Sequence, residues 1–316
     1  MKKLDLLVLG EANVDLILRA EDPTPVYGQE KLVEDLTLTI GGSASIFACQ
    51  AAQLGLRTGL VSVVGEDTFG RYMLQALAEH GVDTALVARL AQLKTGATLS
   101  LTNAGDRALL TYPGTIAALD SAAIDPAWLA QARHIHVASY FLQPRLQAGL
   151  PALLAAARAA GATVSLDTGW DPANRWDSGL QKCLSQVDIL LPNEAEALSI
   201  TGLATIEEAL ARLSARIPLV AIKLGKEGAI AQRGAEVTRV GSIPVRVVDT
   251  TGAGDSFDAG FIYACLQRLP LQECLEFGVL CGSLSTRAAG GTGAQPTLAE
   301  VLAARQGDLG KVGKHT

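Results

Sequence analysis

Aromatic residues make up only 4 % of this 316-residue chain, and methionine occurs twice. The core must therefore be filled by alanine, leucine and valine, within a hydrophobic share of 49 %. Cysteine is scarce too. Cys49, Cys183, Cys265, Cys274 and Cys281 are odd in number and contain no C-x-x-C pair. Most sit in apolar helical surroundings, and they read as reduced core thiols of a cytosolic protein. No apolar run reaches ~18 residues without a charge, so no membrane span is expected. The opening MKKLDLLVLGEANVDLIL carries two lysines like a secretion signal, but Asp5, Glu11 and Asp15 interrupt it. It reads better as a first strand and the loop after it. Basic excess is also missing: 26 Lys and Arg stand against 32 Asp and Glu, a net charge of −6. A mildly acidic chain without a basic run argues against nucleic acid as the main partner. An anion would have to be held locally, by backbone N–H groups or a few cations.

What is present is an alternation of apolar runs and amphipathic stretches. LDLLVLG, TGLVSVVG, HIHVAS, ATVSLD, VDILLPN and IPLVAIKLG read as strands. SASIFACQAAQLG reads as a helix closed by Gly55, and DTFGRYMLQALAEHG as one capped by Asp67 and Gly81. PRLQAGLPALLAAARAAG, a segment from Glu194, GAGDSFDAGFIYACLQRL and LQECLEFGVLCGSLSTRAAG read as further helices, and GVDTALVARL as a connection. Such alternation predicts an α/β fold with a mostly parallel sheet covered on both faces. Ligands on such sheets sit at the carboxyl ends of the strands, which puts GEANVD, DTGWD, PNEAE, LGKEG and TGAGD on one rim. Two segments, about 30–42 and 94–113, alternate with period two and predict a small β-sheet projecting as a lid. One domain is expected over 1–305, and the polar residues 306–316 are expected to fray.

The densest signal is VVDTTGAGDSFDAGF. A strand ends near Val248 and a helix begins near Ala253, so Gly252 and Gly254 sit at a helix N-terminus. Glycine there lets backbone N–H groups close on an anion, and the helix dipole favours negative charge. Asp255 in the first turn can take a proton from an attacking hydroxyl, or can simply cap the helix. In PNEAE, Asn193 reads as a cap with Glu194 and Glu196 favoured by the dipole. His134 and His136 share a strand face but are too few for a metal site. Asp167 and Asp171 lie on the rim with open roles, and Trp170 and Trp176 read as packing.

DTTGAGDSFDAGF resembles the signature of the ribokinase-like, or PfkB, carbohydrate kinases, and no Walker A loop is present. GEANVDLIL, GGSASIFACQAAQLGL, VSVVGEDTFGRYMLQALAEHGVDT, ILLPNEAEALSITG, VAIKLGKEGAI and GGTGAQPT resemble other family segments in their order, over about residues 4 to 300. The resemblance implies a ribokinase-like three-layer fold with a small projecting lid, ATP and Mg²⁺ as cofactors, a sugar or sugar-like acceptor, and a homodimer through the lid. It implies Asp255 as catalytic base and anion-hole amides at Gly252, Ala253 and Gly254. Asn193, Lys223, Gly225 and Gly228 would meet ATP. Glu196 and Asn193 would hold magnesium through water. Asp249 and Thr251 would flank a monovalent ion such as K⁺. Asn13, Asp15, Gly41, Gly42 and Gln143 would meet the acceptor. Many relatives carry asparagine where Ile46 stands here. That departure puts ribose-type recognition in doubt, unless Ile46 faces the helix core instead. Arg107 is the lid's candidate cation for a phosphorylated acceptor, though an unphosphorylated one is favoured. A nucleoside kinase of the same fold and a non-catalytic ligand-binding regulator are the alternatives.

Overall fold

Leu4–Leu9 forms the first strand, β1, and its side chains alternate between two cores: Leu6 and Val8 on one side, Leu7 and Leu9 on the other. A strand buried on both faces needs a layer of helices on each. In the computed structural model, which describes residues 2–103, 107–177 and 179–307, the sheet has those two layers. The other strands are β2 (Asn13–Arg19), β3 (Asp35–Gly41), β4 (Thr58–Gly65), β5 (Val87–Leu90), β6 (Gly96–Thr102), β7 (Arg107–Tyr112), β8 (Ala132–Val137), β9 (Thr163–Leu166), β10 (Ile189–Leu190), β11 (Leu219–Lys223), β12 (Ala229–Arg233) and β13 (Glu236–Val240). The large sheet runs β13-β12-β11-β10-β9-β8-β1-β4-β5, parallel from β11 to β5. The edge hairpin β12–β13 is antiparallel. This is an α/β architecture with a small second sheet, as the resemblance implies, and the carboxyl ends of its parallel strands face the rim that the sequence predicts.

The lid is a separate four-stranded sheet in the order β3-β2-β6-β7. β3, β6 and β7 fall in the two expected segments, but β2 joins them at the centre, parallel to β6 and antiparallel to β3. The sequence reads this stretch as a loop after β1. The chain instead turns at Gly10 and starts a second strand, because Leu16, Ile17 and Leu18 form an unbroken apolar run that hides its alternation. The stretch 144–161 reads as one helix but is two, Pro144–Gln147 and Leu150–Ala159. Pro151 lacks the N–H that would continue a helix and opens a new one in its first turn. GVDTALVARL contains β5, paired parallel to β4, where only a connection is expected.

Elsewhere the local chemistry behaves as expected. Asp67 accepts from the Gly70 N–H at 2.8 Å, and Gly55 and Gly81 take positive φ at helix ends. The five cysteines are free. Among the described residues no helix is long and apolar enough to cross a membrane. The tail expected to fray lies, from residue 308 onward, outside the described residues.

Candidate active site

The helix Ala253–Leu266 is driven into the core by Phe257 and Phe261, whose rings stack at 6.1 Å. Its N-terminus is thereby pinned at the rim. Gly252 precedes it with φ 71°, a left-handed conformation. A Cβ there would also stand 2.8 Å from Gly291 Cα and from Ile46 Cγ2, so only glycine fits. No side chain caps this helix N-terminus, and the Ala253 N–H donates to the Thr250 carbonyl at 3.3 Å. Asp249 fixes the loop: Oδ1 accepts from the Thr251 N–H and hydroxyl, and Oδ2 from the Gly290 N–H at 2.9 Å. Gln295 ties the closing segment to the Ile46 carbonyl at 2.8 Å.

Two clefts meet at this helix end. One, of about 430 Å³, is lined by Lys223, Gly225, Gly228, Thr250, Ala253 and Gly254 over an apolar floor that includes Val245, Phe257 and Val279. A slot of that size and character accepts a flat ring system. A Cβ on Gly228 would meet the Val240 carbonyl at 1.9 Å, so glycine keeps the slot's wall closed. The other cleft lies under the lid and is lined by Glu11, Asn13, Asp15, Gly42, Ser43, Ile46, Thr251, Gly252 and Asp255, with Thr98, Ser100, Leu109 and Thr111 from the lid. Thr250, Ala253 and Gly254 thus face one cleft, and Thr251, Gly252 and Asp255 the other.

The charges around this junction are buried and interlocked. Lys223 Nζ lies 2.9 Å from Asp167 Oδ2 and 3.0 Å from Asp258 Oδ2. Burial opposes ionisation of Asp167, but the lysine and the hydrogen bonds outweigh it and hold the carboxyl down to about 2. Asp258, equally buried and facing Asp167, is driven far up. Burial, then the charges of Asp167 and Glu11, push Asp255 up to about 7, against the pull of Lys223 and a hydrogen bond from Ser43. Glu196 is also pushed to about 7, by burial and then by Asp167. A carboxyl poised near neutral pH suits a general base.

The predicted residues are placed as follows. Asn13 and Asp15 are joined by a 3.2 Å hydrogen bond in the lid cleft. Gly41 pairs opposite Asn13, where a Cβ would lie 2.0 Å from Asp15 Oδ1, so its bareness makes room for Asp15. Gln143 is fully buried behind Glu11, donating to it at 3.3 Å and to the Ala138 carbonyl at 2.8 Å, and does not reach the cleft lining. Asn193 and Glu196 form a capping box, with a further 2.7 Å bond between their side chains. Asp171 accepts the N–H groups of Ala173, Arg175 and Trp176 and so organises a turn. His134 and His136 are buried against Ser165, held down to about 3 by burial, and His136 stacks on Phe47 at 3.7 Å. Arg107 opens β7, but its side chain lies outside the described ones.

Three contributors escape the sequence reading. Asp258 stands one turn after Asp255 in an otherwise apolar helix, and that spacing is a usable signal. Glu11 and Ser139 come together only in the fold, with Ser139 donating to Glu11 at 2.7 Å. Among the described residues no group of three or more His, Cys, Asp or Glu is arranged to hold a metal ion. Asn193 and Glu196 bring side-chain oxygens, the donor type that a hydrated magnesium takes through water.

Comparison with known proteins agrees with this geometry. The pfkB family carbohydrate kinase model matches residues 3–298. A ribokinase of Haemophilus influenzae is 29 % identical over 309 residues, covering 94 % of this chain and 97 % of its own. A 2-dehydro-3-deoxygluconokinase of Bacillus subtilis is 33 % identical over 322 residues, covering 96 % and 97 %. An Escherichia coli protein described as a ribokinase II, solved in complex with ATP and Mg²⁺, superposes with a TM-score of 0.85 at 25 % identity, covering 96 % of this chain and 99 % of that one.

Proposed function

The chain belongs to the pfkB family of carbohydrate kinases, and we propose that it transfers the γ-phosphoryl group of ATP to a hydroxyl of a small sugar or sugar-like acceptor. The observation that carries this reading is the single helix N-terminus shared by two clefts, with Asp255 on the acceptor side and Gly254 on the other. ATP lies in the apolar slot, its phosphates over Gly225, Gly228 and Lys223 and beside Asn193. The acceptor lies under the lid, its hydroxyls held by Asn13 and Asp15. Asp255 removes the proton from the attacking hydroxyl. The N–H groups of Gly252, Ala253 and Gly254 bind the charge that grows on the moving phosphoryl group. Asn193 and Glu196 would hold magnesium through water, which would supply charge neutralisation on the phosphates. Asp249 and Thr251 would flank a potassium ion, whose charge would help order the loop.

The names of the curated relatives support a sugar acceptor. The lid cleft also has an apolar wall of Ile46, Ile116 and Leu142, which keeps nucleosides in contention. ATP consumption measured across sugars and nucleosides, for the wild type and Asp255→Asn, tests the reading. Acceptor-dependent turnover by the wild type, with a ~10²–10⁴-fold loss in the variant, is expected. Acceptor binding without turnover would point to a regulator.

The lid presents Leu36, Leu38, Leu110 and Tyr112 at 38–60 % exposure. A second copy of the chain, pairing lid to lid, covers them in our reading. Leu110→Lys should then shift a dimer toward monomer in sedimentation.

A further inference from the structure

Glu11 is buried to 3 % exposure and takes no part in the transfer described above. It lies in the short connection from β1 to β2 and is tied at both oxygens. Oε1 accepts from the Ser43 N–H at 2.7 Å and from the Ser139 hydroxyl at 2.7 Å, and Oε2 from the Gln143 amide at 3.3 Å. All three partners are donors, which is what an ionised carboxylate takes. The backbone is shaped around it. Gly42 takes φ 84°, and a Cβ there would stand 3.0 Å from Glu11 Cγ and 2.6 Å from Asn13 Oδ1. Ser139 takes φ 50°, a left-handed conformation that is costly for a residue other than glycine. Ser43 opens the helix Ser43–Gln53, whose N-terminus has no side-chain cap from Gly42. The Glu11 carboxylate takes the cap's place from another segment. Glu11 thus holds the N–H of Ser43, and the hydroxyl of the same residue donates to Asp255. All three residues line the lid cleft.

Resting on the kinase reading above, we propose that Ser43 is a positioning residue for the base: its hydroxyl bonds one oxygen of the Asp255 carboxylate, Glu11 anchors its backbone, and the other Asp255 oxygen is turned to the acceptor hydroxyl. The last torsion of an aspartate is broad and roughly two-fold, so nothing in the side chain itself keeps one oxygen toward the substrate. One donor on a fixed backbone sets that rotation, and orientation of a catalytic group contributes directly to rate. The same hydrogen bond favours the ionised carboxylate, the form that accepts a proton. Glu11 acts on Asp255 in the opposite sense, through its negative charge. Anchor and hydroxyl therefore leave distinct signatures when each is altered.

The experiment titrates Asp255 directly, by carboxyl carbon-13 NMR of the free protein with Asp255→Asn as the assignment control, beside the pH profile of acceptor turnover in Mg-ATP. Asp167, Lys223 and Glu11 bear on Asp255 by charge, Asp15 lines the same cleft, and Asp258 stands one turn on in its own helix. Ser43→Ala alters none of these. Its Asp255 midpoint should rise by about one pH unit, because a hydrogen bond to a charged group is lost. Acceptor kcat/KM should fall about tenfold at pH 6 from that shift alone, and a severalfold loss should persist at pH 9, where orientation is what remains. Ser43→Thr keeps the hydroxyl and should restore both. Glu11→Gln keeps an oxygen for the Ser43 N–H but removes the charge, so its midpoint should fall. A midpoint that does not fall there would overturn the anchor. An unmoved midpoint in Ser43→Ala would overturn the proposal: a raised acceptor KM would then assign Ser43 to the acceptor, and a lowered Tm alone would leave it structural. The expected NMR shifts in a protein that turns over no acceptor would uphold the Ser43 bond while overturning the kinase reading.

Discussion

Lys223 and Asp258 form an ion pair shut away from solvent, Nζ 3.0 Å from Oδ2, one helical turn behind Asp255. The side chains are 12 % and 1 % exposed, and Asp167 completes the cluster from the end of β9. The lysine also runs beneath Gly254, with Nζ 3.6 Å from where a Cβ would stand. One cation therefore holds Asp167 ionised and also contacts Asp258, whose carboxyl burial drives up, directly under the proposed anion hole.

Removing that cation tests the cluster. Lys223→Met leaves Asp167 and Asp258 facing each other, and breaking a buried pair costs roughly 3–5 kcal/mol. Asp167 is held down to about 2, so its contribution is present above the ordinary carboxylate pKa and is lost as pH falls through about 2. Chemical denaturation should accordingly show the loss in full at both pH 8 and pH 5, and it should shrink only below about pH 4. A loss below ~1 kcal/mol at pH 8 would mean the pair contributes little.

Asp255 sets both a rate and a stability profile. With its carboxyl pushed up to about 7, kcat/KM should fall tenfold per pH unit below that value, because only the ionised form accepts a proton. The stability sign is the reverse of the usual carboxylate. A folded pKa above the unfolded one favours the folded state at low pH, and that advantage is lost as pH rises toward 7. Asp255→Asn should therefore be more stable than wild type at pH 8 by about 1–3 kcal/mol, and nearly equal at pH 4. An Asp255→Asn Tm at pH 8 below that of wild type would contradict this.

Glu196→Gln removes one negative charge from the proposed magnesium site but can keep an oxygen for the Asn193 N–H, which now donates to Glu196 Oε2 at 2.9 Å. The helix should survive, and the magnesium midpoint for activity should rise severalfold. An unchanged titration would remove Glu196 from the metal's surroundings.

Asp15 and Ile46 should separate binding from architecture. Charge-assisted hydrogen bonds are worth ~1.5–3 kcal/mol each, so Asp15→Ala should lower kcat/KM for the acceptor ~10–100-fold with little change in the ATP KM. Ile46 is 3 % exposed and packs on Gly252 and Gly291 as well as lining the cleft. Ile46→Asn should therefore lower Tm and also change the relative use of sugars. A Tm loss with an unaltered substrate ranking would leave it a core residue only.

Potassium should raise activity over sodium and over a large organic cation if an ion orders the Asp249–Thr251 loop. Equal rates in all three salts would leave the Asp249 bonds to Thr251 and Gly290 sufficient by themselves.

The sequence alone determined the alternation of strands and helices, the rim on which loops gather, and the helix start at Ala253. Each follows from local rules: apolar periodicity, caps such as Asp67, and the backbone freedom of Gly252. Asp255 was legible for the same reason, since its place in a first turn depends only on the chain around it. The tertiary structure decided what no local pattern encodes. β2 joins the lid because its partners, β3 and β6, lie far along the chain. Glu11 lies at the lid cleft through donors from residues 43, 139 and 143. Lys223, legible only as part of a glycine-bearing loop, becomes the counter-ion of residues 56 and 35 positions away in sequence. Charges and hydrogen bonds act through space, and burial, which the fold alone sets, gives them their strength.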